Sequence, residues 1–556
     1  MIYKTLHWYI IREMLRIFLM TSGALTTLMA FGWTFKPFAK HNLELAQLLI
    51  ILTSSMPAML AYSIPISALF ASVLVYWRMA TDNELTACRA GGISFITIVM
   101  PAFILGLAVA SVDLVFVNYV VPHYLQAAER AIMKDLAGVL VGQVGRQEAF
   151  EYGKVIVYAN QAEQLPGEKP GESVVLLNGM AATPIGKDNQ PLAIIVARQA
   201  KLTITDVPSE DSVQITPELV DAAGYDPRNF TAISGSLTSF LPTGKNLTVP
   251  SMLKTKPKFL NIRQLFTLDK EPYKFPPVRD VVKRLSQAHE CELVAGNLLA
   301  EWNTHGVTRA LNFDTYSYDP SSHESFHVFA PSAVLNDDKQ LVFRAAGGVP
   351  VRVEQHKNGR HINTYTCGAA DFLLSFDDFS PDTIVGVLQL RDNVVRKDMV
   401  RSMTPMQVGV TTLSSISIPD ALHAGPTLAP LDLLKLAADA DSPAMKSLAN
   451  DATNRIRQLF QNISSELNSR GSFALSCLTL VLLGAALGIL MKGRNPLAVF
   501  VVGVIPAALL MVLITAGRQL AESAPKNVPF GIAIIWAGNL LLLVLVLGVY
   551  AKLLRQ

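Results

Sequence analysis

The chain reads RMATDNELTACRAGGIS at residues 78–94, a charged segment between two long hydrophobic runs. Residues 84–87 favour a short helix, and the two glycines at residues 91 and 92 would end it. A simple connection between two membrane helices has no need of such a helix. We therefore expect that something outside the membrane docks on this segment.

Hydrophobic runs flank this segment and recur near the other end of the chain. Each is long enough to cross the bilayer core, which takes roughly 20 residues, and they cover residues 10–35, 45–76, 95–121, 473–491, 497–516 and 531–554. The 556 residues are 51% hydrophobic and only 16% charged, whereas soluble domains carry about a quarter charged residues. The sequence thus predicts an α-helical membrane protein with six transmembrane helices in a 3+3 arrangement around a large inserted domain.

Basic residues predict the orientation of these helices, because they concentrate on the cytoplasmic side of a membrane. If the helices alternate, one side receives Lys4, Arg12, Arg16, Arg78, Arg89, Lys492, Arg494, Lys552 and Arg555. The other side receives only Lys36, Lys40, Arg518 and Lys526. We therefore expect both termini in the cytoplasm and the central domain outside it.

The central domain is predicted to consist mainly of β-strands. Short β-rich runs lie at residues 154–158, 193–196, 201–205 and 341–344, and the runs 351–357 and 360–366 flank Asn358-Gly359, a strong hairpin signal. Helical patterns interrupt them at residues 278–302 and 430–469. The predicted domains are transmembrane helices 1–3 at residues 1–122, a jellyroll-like β domain with insertions at 123–465, and helices 4–6 at 466–556.

The sequence does not decide whether the two cysteines of the central domain form a disulfide. Outside the cytoplasm Cys291 and Cys367 are free to form a disulfide, and equally they can be two unpaired, buried thiols.

One motif resembles an enzyme site. Residues 323–327 read HESFH and match the H-E-x-x-H pattern of zinc proteases, which requires His323 and His327 on one face of a helix beside Glu324. Prolines at positions 320 and 331 leave little room for a helix, and the residues favour a strand. On a strand the two histidines would be about 13 Å apart, too far to share one ion. We expect no metal site here.

Nucleotide chemistry is missing from the sequence. The chain has no G-x-x-x-x-G-K-[ST] phosphate loop, so ATP would have to be bound and hydrolysed by a partner chain and no cofactor is expected in this one. Nothing in the sequence predicts a nucleic-acid partner.

The segment at residues 78–94 offers a partner specific side chains. Thr81 or Asp82 is a candidate helix cap, Leu85 and Cys88 would form an apolar stripe, and Glu84 and Arg89 would be presented beside it. A solvated loop is the competing interpretation. Such a protruding helix, in a protein without a phosphate loop, is typical of a coupling helix that engages an ATPase subunit.

Four motifs in the membrane halves resemble one known family. They are D-x-E-L-x-A-x-R-A-x-G-I-S at residues 82–94, NYVVPH at 118–123, ELNSR at 466–470 and WAGN at 536–539. In this order they resemble the LptF/LptG permeases of the lipopolysaccharide exporter. The chain departs from the family pattern in its fourth membrane helix, which reads GAALG at residues 484–488, and its central domain is longer than the family's compact β-jellyroll.

The resemblance implies a permease subunit of an ABC transporter in the inner membrane of a Gram-negative-type bacterium. It would extract a lipopolysaccharide-type glycolipid together with a second LptF/LptG-type subunit and a cytoplasmic LptB-like ATPase dimer. A periplasmic bridge protein, LptC-like or LptA-like, would receive the lipid. Asp82, Glu84, Leu85 and Arg89 would engage the ATPase.

The resemblance also implies lipid-binding residues on the first and fifth membrane helices, which would form a lateral gate. Phe31, Phe35 and Leu509 would contact acyl chains, while Lys36 and Lys40 would face lipid phosphates or act only as interfacial anchors. A membrane-anchored interaction or structural protein and, less favoured, a zinc protease are the alternatives to a transporter.

Overall fold

The protein is described by a computed structural model, which covers residues 2–41, 45–134, 136–145, 149–152, 155–167, 172–184, 194–207, 212–226, 231–234, 247–250, 255–305, 311–314, 324–376, 384–400, 404–418 and 428–555. The chain divides into two compact units. The helical unit comprises Met1–Met133, Ser251–Phe275 and Arg455–Gln556, and the β unit comprises Lys134–Pro250 and Pro276–Asn454.

The described residues of the two units form twelve α-helices, numbered here in chain order. They are α1 (Ile2–His41), α2 (Leu45–Thr81), α3 (Glu84–Ala90), α4 (Phe95–Val115), α5 (Val121–Lys134), α6 (Leu136–Gly145), α7 (Ile262–Lys270), α8 (Pro276–His305), α9 (Pro430–Asp439), α10 (Pro443–Leu490), α11 (Pro496–Ser523) and α12 (Val528–Arg555). A π-helical turn, Phe116–Val120, joins α4 to α5. Within the described residues six helices are long and apolar enough to cross a membrane, which confirms the six predicted spans.

Two helices form the interior of the helical unit. The most hydrophobic windows of α2 and α10 are 67% buried, against 22% to 39% in the other four spans. The close approach of α10 to α2 depends on Gly484 and Gly488. Both belong to the GAALG stretch, in which the sequence differs from the LptF/LptG pattern. A Cβ atom on Gly484 would lie 2.8 Å from the Leu69 carbonyl oxygen, and one on Gly488 would lie 2.7 Å from that of Val73. Small residues four positions apart thus let the two backbones touch.

Replacing Gly488 with alanine is expected to destabilise the helical unit, although alanine favours a helix by roughly 1 kcal/mol. The added methyl group would press on the α2 backbone, and overpacking of this kind costs about 1–3 kcal/mol. The matched control is Gly548→Ala in α12, where nothing lies within 4 Å of the new Cβ. Thermal unfolding in detergent should show a lower midpoint for the first variant and an unchanged or higher one for the second. Equal midpoints would contradict the close contact.

The β unit begins with an antiparallel sheet. It contains β1 (Phe150–Tyr152), β2 (Val155–Pro166), β3 (Glu172–Pro184), β4 (Ile194–Val207), β5 (Ser212–Asp226), β6 (Thr231–Ser234) and β7 (Leu247–Pro250). β1 to β6 pair in sequence order, and β7 pairs with β5. Val175, Leu177 and Ala200 are fully buried in this sheet. Helix α6 packs against β2 and β3.

A two-sheet sandwich follows. Its strands are β8 (Leu311–Asp314), β9 (Glu324–Phe329), β10 (Ser332–Leu335), β11 (Leu341–Arg344), β12 (Val351–Lys357), β13 (Arg360–Cys367), β14 (Ala369–Phe376), β15 (Ile384–Arg391), β16 (Val395–Asp398), β17 (Met406–Gln407) and β18 (Thr411–Ser417). Five form a sheet in the order β10-β11-β14-β15-β18, and six form a sheet in the order β17-β16-β13-β12-β9-β8. Successive strand pairs therefore alternate between the sheets. Both sheets and α8 share one core, in which Phe313 stacks on Phe372 with ring centroids 4.8 Å apart.

Several predicted elements of this unit are confirmed. β11 and β12 have the predicted bounds, and Asn358 and Gly359 turn between β12 and β13 with φ of 50° and 76°. α8 covers the predicted helix at 278–302, while the predicted helix at 430–469 is broken into α9 and α10. The sequence predicts two strands at 193–196 and 201–205, but Ile194–Val207 form the single strand β4. Residue 193 lies outside the described residues.

The thiols of Cys291 and Cys367 are both free, so the unpaired alternative applies. Burial raises the pKa of Cys291 to about 12 and that of Cys367 to about 11. At neutral pH almost no thiolate is present, and the thiolate is the reactive form. We expect maleimide to label both cysteines far more slowly in the folded protein than after denaturation, as followed by peptide mass spectrometry. Equal labelling rates in the two states would contradict this burial.

Candidate functional site

Helix α3 is set between α2 and α4 by its two ends. It begins after Asn83, which has φ of 62° and makes no side-chain capping bond, so the predicted cap by Thr81 or Asp82 is wrong. The backbone turns there through a left-handed residue, a conformation that asparagine tolerates, and the Asn83 side chain instead accepts a hydrogen bond from Lys492 Nζ at 2.6 Å. The sequence does not distinguish an asparagine that caps a helix from one that adopts a left-handed turn, so the turn at Asn83 was not predicted.

The predicted end of α3 at the two glycines is confirmed. Gly92 has φ of 81°, its N–H donates to the Arg89 carbonyl, and the Ile93 N–H donates to the Cys88 carbonyl, each at 3.0 Å. This pair of bonds is a Schellman motif, in which glycine supplies the left-handed residue. It fixes the direction in which the chain leaves α3.

The two faces of α3 differ in exposure. Leu85 is buried in a core shared by α1, α2, α4 and α10, and Cys88 packs against the same core. Asp82 and Arg89 are exposed, and Glu84 is half-buried. Leu85 therefore anchors α3, and the side chains of Asp82 and Arg89 remain exposed.

The charged loops of the helical unit gather at one end. Besides the bond between Lys492 and Asn83, the ring of His7 near the N-terminus lies 2.9 Å from the Thr97 carbonyl oxygen through its Nε2 atom. A cavity of about 170 Å³ beneath α3 is lined by Leu85, by residues at the end of α10 and by Leu553 near the C-terminus. The first turns of α1, the last turn of α12, α3 and the loop after α10 thus lie together, as simple alternation of the helices predicts.

Toward the other end of the helical unit lies a buried ion network, formed by Asn118, Glu466, Arg470 and Arg518. The Arg470 guanidinium donates from Nε to Glu466 Oε1 at 2.9 Å, and both side chains are under a tenth exposed. Arg518 Nη1 lies 3.3 Å from the other Glu466 oxygen. One carboxylate thereby joins α10 to α11.

The same arginine holds two further segments. Its Nη2 atom donates to the carbonyl oxygens of Lys258 at 3.1 Å and Leu260 at 2.9 Å, which lie just before α7. Its Nη1 atom lies 3.4 Å from Asn118 Oδ1 in the π-helical turn, and Asn118 also donates to the Leu114 carbonyl. Arg470 therefore ties α10 to the turn after α4 and to the segment before α7.

The WAGN motif docks α12 on α10. Trp536 Nε1 donates to Asn468 Oδ1 at 3.0 Å, and Asn539 Nδ2 donates to the Ser472 carbonyl oxygen at 2.8 Å and to its hydroxyl at 2.7 Å. Asn539 Oδ1 accepts from Thr479 at 3.3 Å. Three of the four sequence motifs are thus contact partners within this unit. The contacts of Arg518 and Ser472 were not predicted from the sequence. For the Glu466–Arg470 pair, the i,i+4 spacing on a helix was the available signal.

The predicted lipid-binding residues lie on outward faces where they are described. Phe31 on α1 is 56% exposed and Leu509 on α11 is 55% exposed. Phe35, Lys36 and Lys40 belong to α1, and their side chains lie outside the described residues.

The zinc-protease alternative is wrong. Residues 324–329 form strand β9, so Glu324 and His327 lie on a strand instead of the helix that the motif requires, and His323 lies outside the described residues.

A comparison with protein-family models shows to which family the chain belongs. The family model described as the lipopolysaccharide export system permease LptF/LptG matches residues 8–203 and 399–552. The chain belongs to this family. No curated protein matches this LptF/LptG permease. Residues 204–398 lie between the two matched segments, so α8 and most strands of the sandwich fall in the lengthened region that the sequence predicts.

Proposed function

We propose that this LptF/LptG permease is one half of an ABC exporter that extracts a lipopolysaccharide-type glycolipid from the inner membrane. The proposal rests on the family match over both membrane halves and on the exposed charged face of α3 within the first of them. A second LptF/LptG-type permease completes the membrane part, and an LptB-like ATPase dimer binds and hydrolyses ATP. An LptC-like or LptA-like bridge receives the lipid.

The end that carries α3 faces the cytoplasm under this proposal. The basic residues Arg12, Arg78, Arg89 and Lys492 lie on the loops and helix ends gathered there, and such residues are enriched on the cytoplasmic side. The β unit then lies in the periplasm, where lipid leaves the membrane.

The ATPase engages the exposed side of α3. Asp82, Glu84 and Arg89 provide charges of both signs, which suit a salt-sensitive protein interface, and Leu85 transmits force because it is packed among α2 and α4. A displacement of α3 by the ATPase therefore moves the helices that meet it.

The lipid passes between α1 and α11, the two helices of the expected lateral gate. Their exposed apolar residues include Phe31 on α1 and Leu509 on α11. Lys36 and Lys40 neutralise lipid phosphates at the outer end of α1. Sheltering each acyl CH₂ contributes about 0.8 kcal/mol, so an apolar path offsets much of the work of extraction.

The β unit carries an apolar surface of its own. On its first sheet, Tyr158 in β2 and Val196 in β4 both pair with Ala181 and stay more than a third exposed, which leaves an apolar strip. In the sandwich of the same unit, successive strand pairs alternate between two sheets, an arrangement that supports a jellyroll-like domain. The strip is suited to acyl chains.

Co-purification with the ATPase tests this proposal. Wild-type protein should recover one soluble ABC-type ATPase from its own cells, and Glu84→Ala should lower the recovery about tenfold or more, equivalent to 1.4 kcal/mol. Glu301→Ala, an exposed helical glutamate on α8, is the control and should recover as much as wild type. Recovery of the ATPase by none of the three proteins would favour a membrane-anchored interaction protein.

A further inference from the structure

Three histidines form a row on the sandwich, one each from β9, β12 and β13. The His327 and His356 ring centroids are 4.5 Å apart, and those of His356 and His361 are 4.8 Å apart. The row lies on the outer face of the six-stranded sheet, because Val353 of β12 is buried in the core and side chains alternate along a strand.

The sheet register creates this row. His327 pairs with Glu354, and His356 pairs with His361. The last pairing depends on a β-bulge, since the register between β12 and β13 shifts between Gln355 and His356. Without that shift His361 would be displaced from His356, and bulges commonly re-aim side chains at functional sites.

Metal-ligating atoms converge beside the row. One ligand atom each of Glu354, His356 and His361 lies within 4.8 Å of the others, and all three residues are half-buried. The His361 Nε2 atom lies 3.1 Å from the Asn363 carbonyl oxygen and 2.9 Å from the Thr364 hydroxyl. A carbonyl only accepts, so Nε2 carries the proton and the Nδ1 lone pair stays available, as in many metal-binding histidines.

His356 also has a ring nitrogen that is available to a metal ion. Its Nδ1 atom is buried and has no hydrogen-bond partner among the described residues. Arg352 Nε lies 3.3 Å from Glu354 Oε1. A carboxylate has a second oxygen, which can bind an ion.

We propose that Glu354, His356 and His361, with His327 beside them, bind one divalent transition-metal ion of the zinc class. Imidazole nitrogens with one carboxylate oxygen suit Zn²⁺ and its neighbours better than Mg²⁺ or Ca²⁺, which prefer oxygen. Bonds of about 2.1 Å place tetrahedral donors roughly 3.4 Å apart, so small side-chain rotations close the site. The ion links β9, β12 and β13 in the region that the family match does not cover.

Zinc binding by the full-length protein tests this site. The protein is purified in detergent without a polyhistidine tag, stripped with EDTA and dialysed against ZnCl₂, and zinc is counted by mass spectrometry. Wild type and the control His289→Gln, a histidine of α8, should each retain one zinc per chain. His356→Gln and His361→Gln should each weaken binding about a hundredfold or more, judged against the losses known for altered metal shells. Equal zinc affinity in all four proteins would overturn the proposal.

A measurement on the wild type alone guards against misfolded variants. Co²⁺ added to the stripped protein should produce the strong visible absorption of a tetrahedral nitrogen–oxygen site, and Zn²⁺ should abolish it. Zinc should also raise the unfolding temperature of the β unit, because a ligand that binds only the native state stabilises it. Weak absorption like that of hydrated cobalt would overturn the proposal.

Discussion

Replacing Arg470 with methionine is expected to lower the free energy of unfolding of the helical unit by about 3–5 kcal/mol, the usual cost of removing one partner of a buried ion pair. Arg470 is 4% exposed and satisfies Glu466 together with two backbone carbonyls. Methionine fills a similar volume but donates no hydrogen bond. Among the described residues, Glu466 would then keep Arg518, at 3.3 Å, as its one basic partner. The carbonyl groups of Lys258 and Leu260 would lose the Arg470 donor.

Titration with sodium dodecyl sulfate, followed by the helical circular dichroism signal, measures this loss. The matched control is Arg263→Met on α7, an exposed arginine of the same unit. A surface substitution of this kind changes stability by about 0.5 kcal/mol or less. Equal midpoints for the two variants would show that the network contributes little.

Phe372→Ala is expected to destabilise the sandwich by about 3–5 kcal/mol, the range for truncating a buried phenylalanine. Phe372 is fully buried, and its ring stacks on Phe313 of the opposite sheet. A Cβ atom built on Gly386 of β15 would meet its ring, so this glycine makes the space that the side chain fills. The truncation therefore opens a cavity between the two sheets.

Hydrogen exchange with mass spectrometry on the full chain should locate this effect. Peptides of β11, β14 and β15 should exchange much faster in Phe372→Ala. Val349→Ala, which shortens a side chain that is 57% exposed, should leave exchange unchanged. Slow exchange retained throughout the sandwich of Phe372→Ala would contradict the shared core.

Local features of this protein could be predicted because their signals lie close together in the sequence. Long apolar runs predict the spans, Asn358-Gly359 predicts its hairpin, and Gly92 predicts the end of α3, since each depends on neighbouring residues only.

Features built from distant residues could not be predicted. Arg470 meets Leu260 across 210 positions, and the histidine row exists only through strand pairing and a bulge at His356. His327 was noted in the sequence only within the zinc-protease pattern, whereas its ring lies beside His356 of β12, which in turn stacks on His361 of β13. Sequence spacing carries no information on such cross-strand neighbours until the register is known.

The central claim, that this permease handles a glycolipid between α1 and α11, is tested most directly by photo-crosslinking in cells. A benzophenone amino acid replaces Leu509 on α11, Phe31 on α1 or, as a control, Leu547 on α12. These side chains are similarly exposed, at 55%, 56% and 60%. After illumination we expect lipopolysaccharide-type adducts at position 509 and at Phe31, and far fewer at position 547. Equal adducts at positions 509 and 547, or none at position 509, would contradict the account.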